Sequence, residues 1–124
     1  MAARILVIDD NESNLKLASD ILESAGYDVR RALHAREALQ IVAKESVDLI
    51  LMDILLPDMD GLHLTSLLKK HENTKNIPIV ALTALAMTGD REKAMLAGCD
   101  GYMTKPIISR EFLSYLKGFL EKQS

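Results

Sequence analysis

Residues 48–61 read DLILMDILLPDMDG. A nearly continuous apolar run, DLILM at 48–52, stops on Asp53, and LLPDMDG at 55–61 then carries the proline and glycine of a loop. An apolar run without polar alternation is the pattern of a strand covered on both faces, as in a parallel sheet. A helix is expected after the loop, from about residue 62 to 70. The same unit recurs on either side. ILVI at 5–8 is a buried-type strand that stops at Asp9 and Asp10. Leu15, Ala18, Ile21, Leu22 and Ala25 then recur at helical spacing over 14–25, with Gly26 placed to end the helix in a left-handed conformation.

Residues 27–31 read as a shorter strand, followed by a helix over 35–44 with Ala38, Leu39 and Val42 on one face. IPIVALT at 77–83 is another buried-type strand, and a short helix over 90–97 stops at Gly98. A brief strand over 100–103 precedes Lys105 and Pro106. Ser109 is a plausible cap for a last helix with Phe112, Leu113, Leu116, Phe119 and Leu120 on one stripe. Strands that alternate with helices in this way make a parallel sheet, because each parallel crossover needs its own covering helix. The expected class is therefore α/β, a doubly wound (βα)5 fold of the flavodoxin-like kind with a five-stranded sheet in order 2-1-3-4-5. Its ligand site should lie beyond the carboxyl ends of strands 1 and 3.

The chain has 124 residues, enough for one ordinary domain, and carries no linker, repeat or low-complexity tract. With 48% hydrophobic and 27% charged residues it has the composition of a globular protein. A formal net charge of −3 gives no general attraction to nucleic acid or anionic lipid. Cys99 is the only cysteine, so neither an intramolecular disulfide nor a paired-cysteine zinc site can form. The first apolar run is too short for a signal-peptide core or a membrane span, and a cytoplasmic setting is expected.

The residues that end strands 1, 3 and 4 and follow strand 5 are Asp9 with Asp10, Asp53, Thr83 and Lys105. A single aspartate after a strand is ordinarily a helix cap or loop residue. Together, however, these groups converge on one crevice. Three carboxylates brought together repel, and a hard divalent cation among them relieves that cost. Magnesium binds through one or two carboxylates and completes its shell with water and phosphate oxygens, so Asp9 and Asp10 can hold it while Asp53 reacts. Phosphoryl transfer needs positive charge and donors around the phosphoryl oxygens, which Lys105 and Thr83 can supply. Asp53 is the candidate nucleophile, forming an aspartyl phosphate.

The motifs ILVIDDN at 5–11, LILMDILLPDMDG at 49–61, IVALTA at 79–84 and GYMTKPI at 101–107 resemble the receiver domain of bacterial two-component response regulators from about residue 4 to 122. The resemblance implies that Asp9 and Asp10 bind Mg2+, for which Mn2+ can substitute, and that Asp53 is the phosphoacceptor. It implies further that Thr83 and Lys105 contact the phosphoryl group, that Tyr102 is the aromatic switch, and that the backbone carbonyl of Leu55 completes the protein's metal ligands beside Asp53. It also implies a donor, the phosphohistidine of a sensor kinase or histidine phosphotransfer protein, with the receiver catalysing its own phosphorylation rather than acting as a conventional enzyme. A cis Lys105–Pro106 bond belongs to the same pattern. The segments NESNLKLASDILESAGY, MDILLPDMDGL and TALAMTGDREKAMLAGCDGYMTKPI look similar to stand-alone cell-cycle regulators of the DivK type and to receivers of hybrid kinases. One receiver unit over 1–124 with no attached output domain is expected, signalling through protein partners.

About −1.5 to −2 charge units added at Asp53 should draw Thr83 and Lys105 inward and let Tyr102 take the space that Thr83 vacates. The responding face would be that of the fourth helix, fifth strand and fifth helix, with Ala86, Met87, Met95 and Tyr102 as adaptable contacts. Leu55 and Leu85, two residues beyond Asp53 and Thr83, cannot orient an attacking water, so slow self-dephosphorylation is expected. His34, His63 and His71 read as solvated surface, and Cys99 as a small core residue. Two rivals remain. A flavin carrier would need phosphate-binding donors where Asp9, Asp10, Asn11 and Glu12 stand, and an aspartate-nucleophile phosphohydrolase would need an acid where Leu55 stands.

Overall fold

In a computed structural model, which describes residues 2–83, 90–105, 107 and 109–121, the chain forms five strands and five helices in strict alternation. They are β1 (Arg4–Ile8), α1 (Glu12–Ser24), β2 (Asp28–Ala32), α2 (Ala35–Lys44), β3 (Leu49–Asp53), α3 (Gly61–Lys70), β4 (Ile79–Thr83), α4 (Asp90–Ala97), β5 (Gly101–Thr104) and α5 (Ser109–Glu121). The strands make one parallel sheet in the order β2-β1-β3-β4-β5.

The apolar strand runs are explained by the division of their side chains between two cores. Leu6, Ile8, Ile50, Met52, Ile79 and Ala81 face α2, α3 and α4, where they meet Ala35, Ala38, Leu64, Leu68 and Ala94. Their neighbours Ile5, Val7, Leu49, Leu51, Val80 and Leu82 face α1 and α5, against Leu15, Ala18, Leu22, Phe112 and Leu116. Successive residues of a strand point to opposite sides, so only a doubly covered sheet can bury every residue of such a run.

The edge strand β2 is different. Its DVRRA sequence is mostly half-exposed, and Arg30 bridges Asp28 and Glu45 while Arg4 reaches Asp28. Charges on an outer strand discourage further pairing. Gly26 and Gly98 follow α1 and α4 at φ 97° and 112°, the left-handed conformation that ends a helix there.

Several element limits differ from the sequence reading, each for a local reason. Helix α1 starts at Glu12, before residue 14, because Asn11 caps it by accepting the Asn14 N–H at 3.1 Å. Strand β4 starts at Ile79 rather than 77 because Pro78 has no N–H to pair. Strand β5 starts at Gly101 rather than Asp100, whose carboxylate is turned back onto the Ile79 N–H at 2.8 Å and onto Lys69. Ser109 is the first residue of α5, so the cap falls on 108, outside the described residues, as does the side chain of Ser109 itself.

Candidate functional site

The carboxyl ends of β1, β3 and β4 lie side by side, since Ile8 pairs with Met52 and Asp53 with Leu82. Backbone bonds then carry the pairing one residue beyond the strands. The Asp9 N–H donates to the Ala32 carbonyl at 3.1 Å, the Ile54 N–H to Leu82 at 3.3 Å, and the Lys105 N–H to Thr83 at 2.8 Å. The residues that bear the chemistry are thus held by the sheet rather than by loops.

Two side chains are arranged in parallel fashion. Asp9 Oδ1 accepts the Asn11 N–H at 2.9 Å and Asp53 Oδ1 accepts the Leu55 N–H at 2.9 Å, each carboxylate closing a local turn onto the residue two further on. The remaining oxygens share one cation: Lys105 Nζ lies 2.9 Å from Asp9 Oδ2 and 3.1 Å from Asp53 Oδ2. Asp9 and Asp53 are buried, at 3% and 9% exposure, whereas Asp10 is exposed. Burial pushes the Asp53 carboxyl above its ordinary range, against the opposing pull of the Leu55 N–H and of Lys105. For Lys105 burial acts to lower the ammonium's affinity for its proton, but the hydrogen bonds and charges of Asp9 and Asp53 outweigh it and hold the group above its usual value.

One carboxylate oxygen from each of Asp9, Asp10 and Asp53 lies within 4.8 Å of the other two. Three hard oxygen donors of like charge, two of them shared by the Lys105 ammonium, fit a small divalent cation such as magnesium. Leu55, whose carbonyl is the expected further ligand, sits in the loop after Asp53 and is 63% exposed. Thr83 ends β4 with its side chain buried. Tyr102 is half-buried against the core on the α2, α3 and α4 side, and its N–H donates to the Tyr115 hydroxyl at 3.1 Å. Met95 is exposed on α4. Leu85, Ala86, Met87 and Pro106 lie outside the described residues.

The lysine makes a stability prediction. Replacing Lys105 by Ala leaves two buried carboxylates facing each other without a counter-charge, which should cost about 2–3 kcal/mol in chelator-treated protein. Millimolar magnesium should restore most of that loss, because a divalent cation replaces the missing charge. Urea denaturation with EDTA and with magnesium checks both statements. Equal midpoints for the variant and the wild type in EDTA would contradict them.

Sequence reasoning missed three residues at this edge. Gly61 begins α3, where an added Cβ would lie 2.8 Å from the Ile54 Cα and 2.9 Å from the Asp53 carbonyl oxygen. Asp58, in the same loop, accepts the N–H groups of Ala35 and Arg36 at 2.9 and 3.0 Å and so caps α2 from across the fold. His34 is not merely solvated: its Nδ1 accepts the Glu37 N–H at 3.2 Å as the cap of α2. A histidine just before a helix was the only signal for the last of these. His63 and His71 are exposed, and Cys99 is buried, with burial raising its thiol pKa.

Residues 5–117 match the response regulator receiver domain, and the chain belongs to that family. Among its relatives is the polar-differentiation response regulator DivK of Brucella ovis, 41% identical over 120 residues, or 97% of this chain and 98% of the relative. A putative response regulator from Chloroflexus aurantiacus superposes with a TM-score of 0.93 at 33% identity, over 98% of this chain and 99% of that one. The receiver domain of a sensor histidine kinase from Pseudomonas aeruginosa, solved with a magnesium ion coordinated in its active site cleft, gives 0.90 at 34% identity, over 98% and 99%.

Proposed function

We propose that this receiver takes a phosphoryl group from the phosphohistidine of a sensor kinase or phosphotransfer protein onto Asp53. The observation that carries the reading is the cluster itself: a buried carboxylate at the end of β3, two more beside it at the end of β1, and the Lys105 ammonium between Asp9 and Asp53. In the transfer an Asp53 carboxylate oxygen attacks phosphorus, the nitrogen–phosphorus bond breaks with its electron pair leaving on the imidazole, and an acyl phosphate forms. Asp9, Asp10, Asp53 and the Leu55 carbonyl would hold magnesium, or manganese in its place, which when bound would supply positive charge to the phosphoryl oxygens. The Leu55 N–H orients Asp53, the Asn11 N–H orients Asp9, and Lys105 moves its ammonium from the two carboxylates to the new phosphoryl group. Thr83 follows with its hydroxyl, and Tyr102 responds behind it.

The protein is a switch that promotes its own phosphorylation and has no turnover of a further substrate. It reads out through protein contacts on the α4, β5 and α5 face, in the cytoplasm, as a single receiver unit. The 41% identity across 98% of the Brucella regulator supports a stand-alone role of the DivK kind. The receiver of a hybrid kinase is the second reading, favoured by the 34% identity to the Pseudomonas domain. Incubation with acetyl phosphate and magnesium should add the mass of one phosphoryl group, and EDTA should prevent it; labelling that ignores EDTA would overturn the metal-dependent mechanism.

The lifetime of that group should be long. Leu55 is exposed beside Asp53 and offers no group to orient water, so Leu55→Asn should speed loss of the phosphoryl group roughly tenfold without harming the fold. The decay of the phosphorylated mass with time measures it, and an unchanged half-life would remove Leu55 from the account.

A further inference from the structure

The loop between Asp53 and α3 is held closed at its base. Leu55 and Asp60 face each other in an antiparallel bridge, the Gly61 N–H donates to the Ile54 carbonyl at 2.8 Å, and Asp60 caps α3 through the Leu62 N–H at 2.8 Å. Its apolar side chains Leu56 and Met59 pack against the core on the α2, α3 and α4 side. At the tip, Asp58 is exposed to solvent, yet both of its carboxylate oxygens are engaged with another element: Oδ1 accepts the Ala35 N–H and Oδ2 the Arg36 N–H.

These are the first two N–H groups of α2, which have no partner within a helix. The third, Glu37, donates to His34 Nδ1, and His34 Nδ1 stands 3.6 Å from Asp58 Oδ2. The N–H bonds, that of Ala35 foremost, hold the Asp58 carboxyl below its ordinary range. Helix α2 in turn follows β2, whose last carbonyl, that of Ala32, accepts the Asp9 N–H. The start of α2 is therefore tied to both halves of the site, to Asp9 through Ala32 and to the Asp53 loop through Asp58.

We infer that Asp58 is a positioning residue for the metal and phosphoryl site: by clamping the loop tip to α2 it fixes the Leu55 backbone, whose N–H orients Asp53 and whose carbonyl completes the metal ligands. The inference rests on the phosphoacceptor reading above. A helix cap alone would account for the bonds to Ala35 and Arg36. What the clamp adds is that loosening them at the loop end disturbs metal binding, whereas loosening the helix cap elsewhere does not.

Three variants of the full chain separate these, with magnesium affinity measured by titration calorimetry and stability by urea denaturation. Asp58→Ala should weaken magnesium binding about tenfold, the scale seen when a group that orients a metal ligand is lost. Asp58→Asn keeps one acceptor oxygen but sets its NH2 against the other N–H, so it breaks half of the clamp and should weaken binding by about threefold, between wild type and Asp58→Ala. His34→Ala removes a cap from the same helix but leaves the loop anchored, so it should lower stability while binding within about twofold. Wild-type affinity in Asp58→Ala, or an equal loss in His34→Ala, would overturn the clamp alone. Failure of the wild type to bind magnesium would overturn the site reading, and the clamp with it.

Discussion

Asp53→Asn is expected to take up no acyl phosphate from acetyl phosphate and magnesium, a loss of at least about 1000-fold in rate, because the amide has no anionic oxygen to attack phosphorus. The same change should make the metal-free protein more stable at neutral pH. Burial raises the Asp53 carboxyl above its ordinary range, so the folded state holds this proton more tightly than the unfolded chain does. The stability that follows from a raised carboxyl is fully present below the ordinary carboxylate value, about 4, and is lost as pH rises through the raised one. Asn keeps the side chain uncharged at every pH. The variant should therefore be more stable than the wild type at pH 7, with the gap closing as pH falls. Urea denaturation in EDTA at several pH values measures the gap. A variant less stable than wild type at pH 7 would mean that Lys105 and the Leu55 N–H outweigh burial at this carboxylate.

Gly61→Ala should damage fold and site together. The new Cβ would press on the Ile54 Cα and on the carbonyl oxygens of Asp53 and Ile54, all backbone atoms at 2.8–2.9 Å that cannot swing aside. Either α3 or the end of β3 has to move. The expected cost is about 2 kcal/mol of stability and about 100-fold in the rate of phosphorylation, since Asp53 sits on the strand end that is displaced. Gly118→Ala is the matching control. Among the described residues nothing lies within 4 Å of a Cβ built there, on the exposed face of α5, so alanine should stabilise that helix by up to about 1 kcal/mol. Urea midpoints and labelling rates for the two variants check the contrast, and a Gly61→Ala protein that matches Gly118→Ala in both would contradict it.

The sheet was legible because ILVI, LILM and IVAL have to be buried on both faces, and because a polar residue at the end of each run stops it at the same edge. Asp9, Asp10 and Asp53 could therefore be placed together from the sequence, and Lys105 beside them. Strand limits were less legible where the pairing partner rather than the strand's own pattern sets them: β2 runs over Asp28–Ala32, one residue later than its sequence suggested, and Asp100, just before β5, bonds Ile79 through both its N–H and its carboxylate. Which atoms of distant residues bond one another was not legible, even where the residues were expected at one edge. Lys105 divides itself between carboxylates 96 and 52 residues away, and Asp58 reaches α2 across 23 and 22 residues. Nothing in PDMDG distinguishes the aspartate that caps its own helix, Asp60, from the one that caps another.

Asp53, and not Asp9 or Asp10 beside it, should be the carboxylate that reacts. Borohydride reduces an acyl phosphate to the alcohol, so the protein labelled with acetyl phosphate, reduced and mapped by peptide mass should carry homoserine at position 53. Homoserine at position 9 or 10, or none anywhere in phosphorylated protein, would contradict the account.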